Sequence, residues 1–271
     1  MASPSNDGST PCGELGCRAF ATPEAAFRAV LEREPLVLAV GEAHAQRGSE
    51  AVASSTRRFA DAFLPLLQNK ASALVLEIWV ATGGCGKVEQ KVAAQQKPVT
   101  ESHAAGNQQE FLWLGRRAKA LGIEPRALVP SCEQYRKIAG AGSADISEML
   151  RMIAEATLTE VQRLLDSREP AESRMIVAYG GALHNDLAPR PGREAWSFGP
   201  ELERRSGGRY VELDLIVPEY IKDSEVWQAL PWYRHFDRER HDRHTLLFNP
   251  SPSSYVLIFP KTELPNPGPN P

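Results

Sequence analysis

Apolar positions along the chain alternate between two rhythms, one of helical spacing and one of short unbroken runs. Thr22 can cap a helix that Pro23 opens; Phe27, Val30 and Leu31 then share a face, and Pro35 stops it. The run Leu36, Val37, Leu38, Ala39, Val40 predicts a strand covered on both faces and ended by Gly41. Residues 49–67 return to helical spacing through Val52, Phe59, Phe63, Leu66 and Leu67, and residues 73–80 form a second buried strand. Residues 81–106 carry clustered glycines and no strong period, which predicts a long loop or cap. Asn107 with Glu110 resembles a capping box, and Phe111, Leu114, Ala118 and Leu121 make a stripe that ends at Gly122. A third strand fits residues 126–130. Ile146, Met149, Leu150, Ile153, Val161 and Leu164 predict a helix over 145–165, and Met175 to Tyr179 a fourth strand ended by two glycines. A helix near 200–205 and strands near 209–217 and 254–259 complete the count.

Strands alternating with helices imply right-handed crossovers, hence an α/β fold with a mainly parallel central sheet flanked by helices and a long loop or cap insertion. The expected division is a flexible leader at 1–20, a single α/β domain at 21–259 with its cap loop near 81–106, and a disordered tail at 260–271. Residues 228–244 read as an irregular segment folded over the sheet edge.

Composition narrows the function classes. The 271 residues are 42% hydrophobic and 24% charged, without an apolar run long enough to span a bilayer, so no transmembrane segment is expected. A net charge of −3 offers no positive field for phosphate backbones, which argues against nucleic acid as a partner. Cys12, Cys17, Cys85 and Cys132 form no CxxC pair and match no zinc ribbon, leaving disulfides or free thiols. Cys85 and Cys132 follow the second and third strands; if those strands are neighbours, a disulfide can pin the long loop beside the strand ends. The polar start lacks an apolar signal segment and resembles a trimmed one. Export is therefore expected, as a periplasmic, secreted or lipid-anchored protein with its anchor outside this sequence; a cytoplasmic protein with a ragged end is the alternative.

Ligands of open parallel sheets collect at the carboxyl ends of the strands. Three ends here carry chemistry: Gly41, Glu42 and His44; Glu77; and Gly181, His184, Asn185 and Asp186. A strand-end histidine more often serves structure, and a strand glutamate can simply pair with an arginine such as Arg126 or Arg174. Glu77, however, interrupts an apolar run, where a carboxylate is costly without a partner or a metal. Two imidazoles and a carboxylate on separate strands suit a divalent ion with open positions for water. His103, in the long loop, and His235, His241 and His244, in a self-paired charge run, read as solvated side chains. Trp79, Trp113, Trp196 and Trp232 read as packing residues, with Trp79 close enough to Glu77 to line a pocket.

With these residues in place, the chain resembles the superfamily of the TraB and Tiki proteins, the erythromycin esterases and the haem-binding lipoprotein ChaN, whose Tiki and TraB members carry two GxxH motifs with a glutamate between them. The matching residues are Gly41 with His44, Glu77, and Gly181 with His184. The resemblance implies a metal-dependent hydrolase, peptidase- or esterase-like, with His44, Glu77 and His184 as metal ligands, Glu42 as general base, and Trp79, Asn185 and Asp186 on the substrate side. It leaves Mn, Co, Zn and Fe undistinguished, and the substrate would be a peptide or a small-molecule ester or amide. The Ala43 and Ala45 surroundings of His44 depart from the esterase pattern and argue against macrolide hydrolysis. ChaN-like haem or iron binding without catalysis is the alternative, and a binding module in a surface complex a third.

Overall fold

The computed structural model describes residues 8–100, 104, 106–141, 146–237, 239 and 243–263. Among these residues nine strands join in one sheet. In chain order they are β1 (Thr10–Pro11), β2 (Arg18–Phe20), β3 (Val37–Glu42), β4 (Ala71–Trp79), β5 (Glu124–Leu128), β6 (Met175–Gly181), β7 (Tyr210–Ile216), β8 (Thr245–Ser251) and β9 (Ser254–Ile258). Their order across the sheet is β1-β2-β8-β9-β7-β3-β6-β4-β5. The six strands from β9 to β5 run parallel, while β8, β2 and β1 add antiparallel at one edge. The protein is thus mixed α/β with a mainly parallel central sheet, as its alternating pattern predicts.

Helices α1 (Pro23–Leu31), α2 (Ser55–Arg58), α3 (Lys87–Thr100), α4 (Asn107–Ala120), α5 (Cys132–Ala141), α6 (Ser147–Asp166), α7 (Gly199–Arg205) and α8 (Glu225–Gln228) surround it. Alternate residues of β3 enter two separate cores. Leu38 and Val40 join Phe27, Phe59, Phe63 and Leu114 on one face; Val37 and Ala39 join Tyr135, Met152, Ile153 and Leu202 on the other. Thr22 caps α1 by accepting from Ala25 N at 3.2 Å. The chain leaves β3 for β4 on one side and returns to β7 on the other, so connections diverge beyond the carboxyl end of β3. That divergence opens the crevice where ligands of such sheets collect.

Several expectations are corrected. Residues 8–20 of the expected leader are built into the sheet: β2 pairs with β8, and a Cys12–Cys17 disulfide closes the hairpin. Two- and three-residue strands are too short to register as a period. Residues 1–7 and 264–271 lie outside the described residues. The 81–106 stretch contains α3, a mostly polar helix whose Val92 is buried and whose Glu89 accepts from Gly83 N and Cys85 N. Residues 49–54 are not helical; Ser54 starts α2 by accepting from Arg57 N, and a π-helical turn, Phe59–Phe63, and a 3-10 turn, Leu64–Leu67, finish it. Asn107 opens α4 without a capping bond, and the carboxylate of Glu110 receives the Ser54 hydroxyl instead. Helix α5 and strand β8 had no counterpart in the sequence pattern. The described part of 228–244 places Trp232 in a third core beneath β8 and β9.

The expected pin exists: Cys85 and Cys132 are bonded, joining the start of α3 to the first residue of α5. Closing a loop of 47 residues removes about 4 kcal/mol of unfolded-chain entropy, and engineered or removed bonds return roughly 2–4. Cys85→Ser with Cys132→Ser should lower the urea midpoint accordingly. Peptide mapping without reductant should recover the two peptides as one, and recovery of both as free thiols would reject the pairing.

Candidate functional site

Strand register sets the site. Gly41 of β3 lies between Gly180 of β6 and Asp214 of β7, and Leu76 of β4 pairs with Tyr179, so Glu77 follows beside Gly180. Two central glycines are thereby flanked by two outer carboxylates. A Cβ on Gly180 would sit 2.3 Å from Glu77 Oε2, and one on Gly41 2.5 Å from Asp214 Oδ1 and 2.6 Å from Asn185 Oδ1. Glycine is required at both positions because the acidic side chains lie over the backbone. Both expected strand ends shift as a result: β3 continues through Glu42 and β6 through Gly181.

Glu42 points to the opposite face and is 3% exposed. Three donors satisfy it: His44 Nδ1 at 2.8 Å to Oε1, and Thr56 Oγ1 at 2.8 Å and Tyr179 OH at 2.5 Å to Oε2. Burial, and then the Glu42 charge, push the Tyr179 hydroxyl well above its ordinary pKa, so it stays a donor. Burial pushes the His44 imidazolium down, but the bond to Glu42 and the charges of Glu42 and Glu77 outweigh it and raise its pKa from 6.5 to about 9.

His44, Glu77 and His184 come together. Glu77 Oε2 accepts from Gly181 N at 2.5 Å, and Oε1 lies 4.0 Å from His44 Nε2 and 3.8 Å from His184 Nε2. His184 is 3% exposed, and its Nδ1 lies 2.8 Å from the Trp196 carbonyl, to which it donates. Each imidazole therefore engages an oxygen through Nδ1 and presents Nε2 to one carboxylate oxygen. Neither suggested arginine serves Glu77: Arg126 lies 3.9 Å from Glu160, and Arg174 pairs with Glu172.

The donor chemistry fits a divalent ion, since histidine ligands hold their second nitrogen to a carboxylate or carbonyl in this way. Ligands at 2.0–2.2 Å around a tetrahedral ion stand about 3.4 Å apart, so the measured separations would contract by roughly half an ångström on binding. Among the described residues no group of three or more His, Cys, Asp or Glu stands close enough to hold a metal ion.

The three residues expected on the substrate side have the following surroundings. Trp79 packs against the core beneath α5 and α6 together with Val88. Asn185, 1% exposed, donates to Asp214 Oδ1 of β7 at 3.0 Å, and Asp186 Oδ1 accepts from Ala188 N inside the loop after β6. His235 lies 3.7 Å from Glu14, and His244 is exposed; His103 and His241 fall outside the described residues. Thr56, Tyr179 and Asp214 belong to the site without having been anticipated. Tyr179 gave the one available signal, a hydroxyl inside a buried strand.

No family model and no curated protein match the chain. Among solved structures it is similar to the type III effector HopBA1, with 10% identity, a TM-score of 0.44, and coverage of 92% of this chain and 98% of that one.

Two outcomes follow from the geometry. Gly180→Ala should displace Glu77 and destabilise the protein by about 1–3 kcal/mol in chemical denaturation, the cost of overpacking a filled site. An unchanged midpoint would mean that Glu77 moves away freely. In metal-free protein, a His44 pKa raised to about 9 contributes stability that is complete below pH 6.5 and is lost as pH rises through 9. The contribution is on the order of 3 kcal/mol. The carboxyls of buried Glu212 and half-buried Asp214, raised chiefly by loss of hydration, also lose stability with rising pH, so His44→Gln serves as the control. Parallel stability curves for wild type and variant would refute the His44 assignment.

Proposed function

We propose that the chain is a metal-dependent hydrolase of amides or esters, with His44 Nε2, His184 Nε2 and Glu77 Oε1 as the ion's protein ligands. The observation that carries this reading is the matched state of the two imidazoles, each anchored through Nδ1 and turned through Nε2 toward the same carboxylate oxygen. A divalent ion held there, whether Mn, Co, Zn or Fe, would supply Lewis acidity for the scissile carbonyl and the attacking water.

The chain's own residues do the rest. Glu42 acts through His44, fixing its ring and raising its basicity, and Thr56 and Tyr179 hold Glu42 in turn. This replaces the general-base role first expected of Glu42, whose oxygens are already filled. Glu77, with 14% side-chain exposure against 1% for Glu42, is the carboxylate nearer solvent, and with its oxygens given to the ion and to Gly181 N the proton of the attacking water would leave to solvent. Peptides and small esters or amides are the substrate class.

Haem binding without catalysis fits less well. His184 is almost fully buried, and the cavity it lines has a volume of about 10 Å³, room for a water and not for a macrocycle. Two disulfides suit an oxidising compartment, which supports export, and among the described residues no helix is long and apolar enough to cross a membrane.

Metal analysis and titration of the purified chain with Mn²⁺, Co²⁺, Zn²⁺ and Fe²⁺, followed by assays on peptide and ester panels, test the reading. His184→Ala should abolish uptake and activity, and Glu42→Gln should weaken affinity about 10- to 100-fold through His44. A wild type that binds no divalent ion, or a His184→Ala variant with full occupancy, would overturn it.

A further inference from the structure

Behind Glu77 and His184, on the α6 side of the sheet, lies a cavity of about 10 Å³. Glu77, Gly180, Gly181, His184 and Asn185 form its polar side, and Ile153, Thr157 and Phe198 close it. Asn185 is 1% exposed, yet its Oδ1 has no hydrogen-bond partner. Its Nδ2 is committed, donating to Asp214 Oδ1 at 3.0 Å and to the Ala39 carbonyl at 3.4 Å. Those two bonds fix the amide with Oδ1 over Gly41, beside Gly180 in the sheet.

An unpaired buried carbonyl costs about 1–3 kcal/mol, and a polar cavity of this size holds one water when two or more groups can bind it. Here the polar groups on either side, Asn185 Oδ1 and the Glu77 carboxylate, are both acceptors. One water has two hydrogens to give.

We infer that this cavity holds one resident water, donating to Asn185 Oδ1 and to the Glu77 carboxylate, and that Asn185 and Asp214 are positioning residues for Glu77. Asp214 orients the Asn185 amide, Asn185 holds the water, and the water steadies the carboxylate from behind. This assigns a use to Asp214, which the hydrolytic reading leaves idle, and moves Asn185 from substrate contact to support of the site. The water does not depend on the hydrolase reading; the effect on metal affinity does.

A high-resolution crystal structure of the full chain should show one water within hydrogen-bond distance of Asn185 Oδ1 and Glu77. Water ¹⁷O relaxation dispersion should lose one long-lived water in Asn185→Leu. Ile153→Met, which fills the cavity from α6 and leaves the amide intact, should lose the same water if Asn185→Leu does not fold. A dry cavity, or a wild type and Ile153→Met with equal numbers of long-lived waters, would overturn the inference. For positioning, Asp214→Leu should weaken Co²⁺ binding about tenfold and change the visible spectrum of the bound ion, whereas Asp214→Asn, which keeps an acceptor for Asn185, should restore both. A Co²⁺-binding wild type whose affinity and spectrum are matched by Asp214→Leu would remove the positioning role while leaving the hydrolase reading intact.

Discussion

Everything at the carboxyl edge of this sheet answers one constraint: a carboxylate carried into a parallel sheet must be given donors, because both faces are covered and bulk water is largely excluded. Glu42 meets it with three side-chain donors drawn from three elements, β6, α2 and the turn after β3. Glu77 meets it with a backbone amide, that of Gly181. Each solution consumes a residue with chemistry of its own. Tyr179 and Thr56 are spent on Glu42, and His44 is fixed between the two carboxylates as the group that faces both.

The glycines follow from the same constraint. A carboxylate that takes its donor from a neighbouring strand's backbone must lie across that strand, and only a residue without Cβ leaves the space. Gly180 serves Glu77, and Gly41 serves Asp214 together with Asn185. The glycines therefore belong to the same unit as the acids they accommodate. Their second effect is to place the backbone of β6 close to the imidazoles: a Cβ on Gly181 would lie 3.3 Å from His44 Nε2.

Legibility in the sequence divides along physical lines. Unbroken apolar runs and helical stripes are dictated by burial, and they located β3, β4, β6, β7 and α1, α4, α6 to within a few residues. Site residues that break such a pattern were visible for the same reason: Glu77 stands out in an apolar run because its presence there is costly. Residues that conform to a pattern were hidden. Glu212 and Asp214 alternate with Val211, Leu213 and Leu215, the signature of a strand with one wet face, yet α7 and the loop after β6 cover that face and Glu212 is 7% exposed. Tyr179 showed only its hydroxyl against that background, because most of its surface is hydrocarbon and fits the apolar run. The hairpin at β1 and β2 was lost because pairing with β8 and a disulfide, rather than any local period, hold it. Nor can a single sequence report which oxygen a buried amide leaves unpaired, so the Asn185 cavity was out of reach.

Charge explains why the unit holds together without an ion and why it suits one. Glu42 and Glu77 face a single imidazolium on His44, and the raised pKa of that ring measures how much the two carboxylates gain from its proton. A cation entering between the two Nε2 atoms would take over the compensation that the His44 proton provides, and the proton would leave. Ion affinity should consequently rise with pH, each ion exchanging for about one proton. The exchange would leave the local charge one unit more positive, against two carboxylates, and Glu42, held by Thr56 and Tyr179, would continue to hold the ring. Under the metal-dependent reading proposed above, such a site would lose and regain an ion without rebuilding the sheet edge.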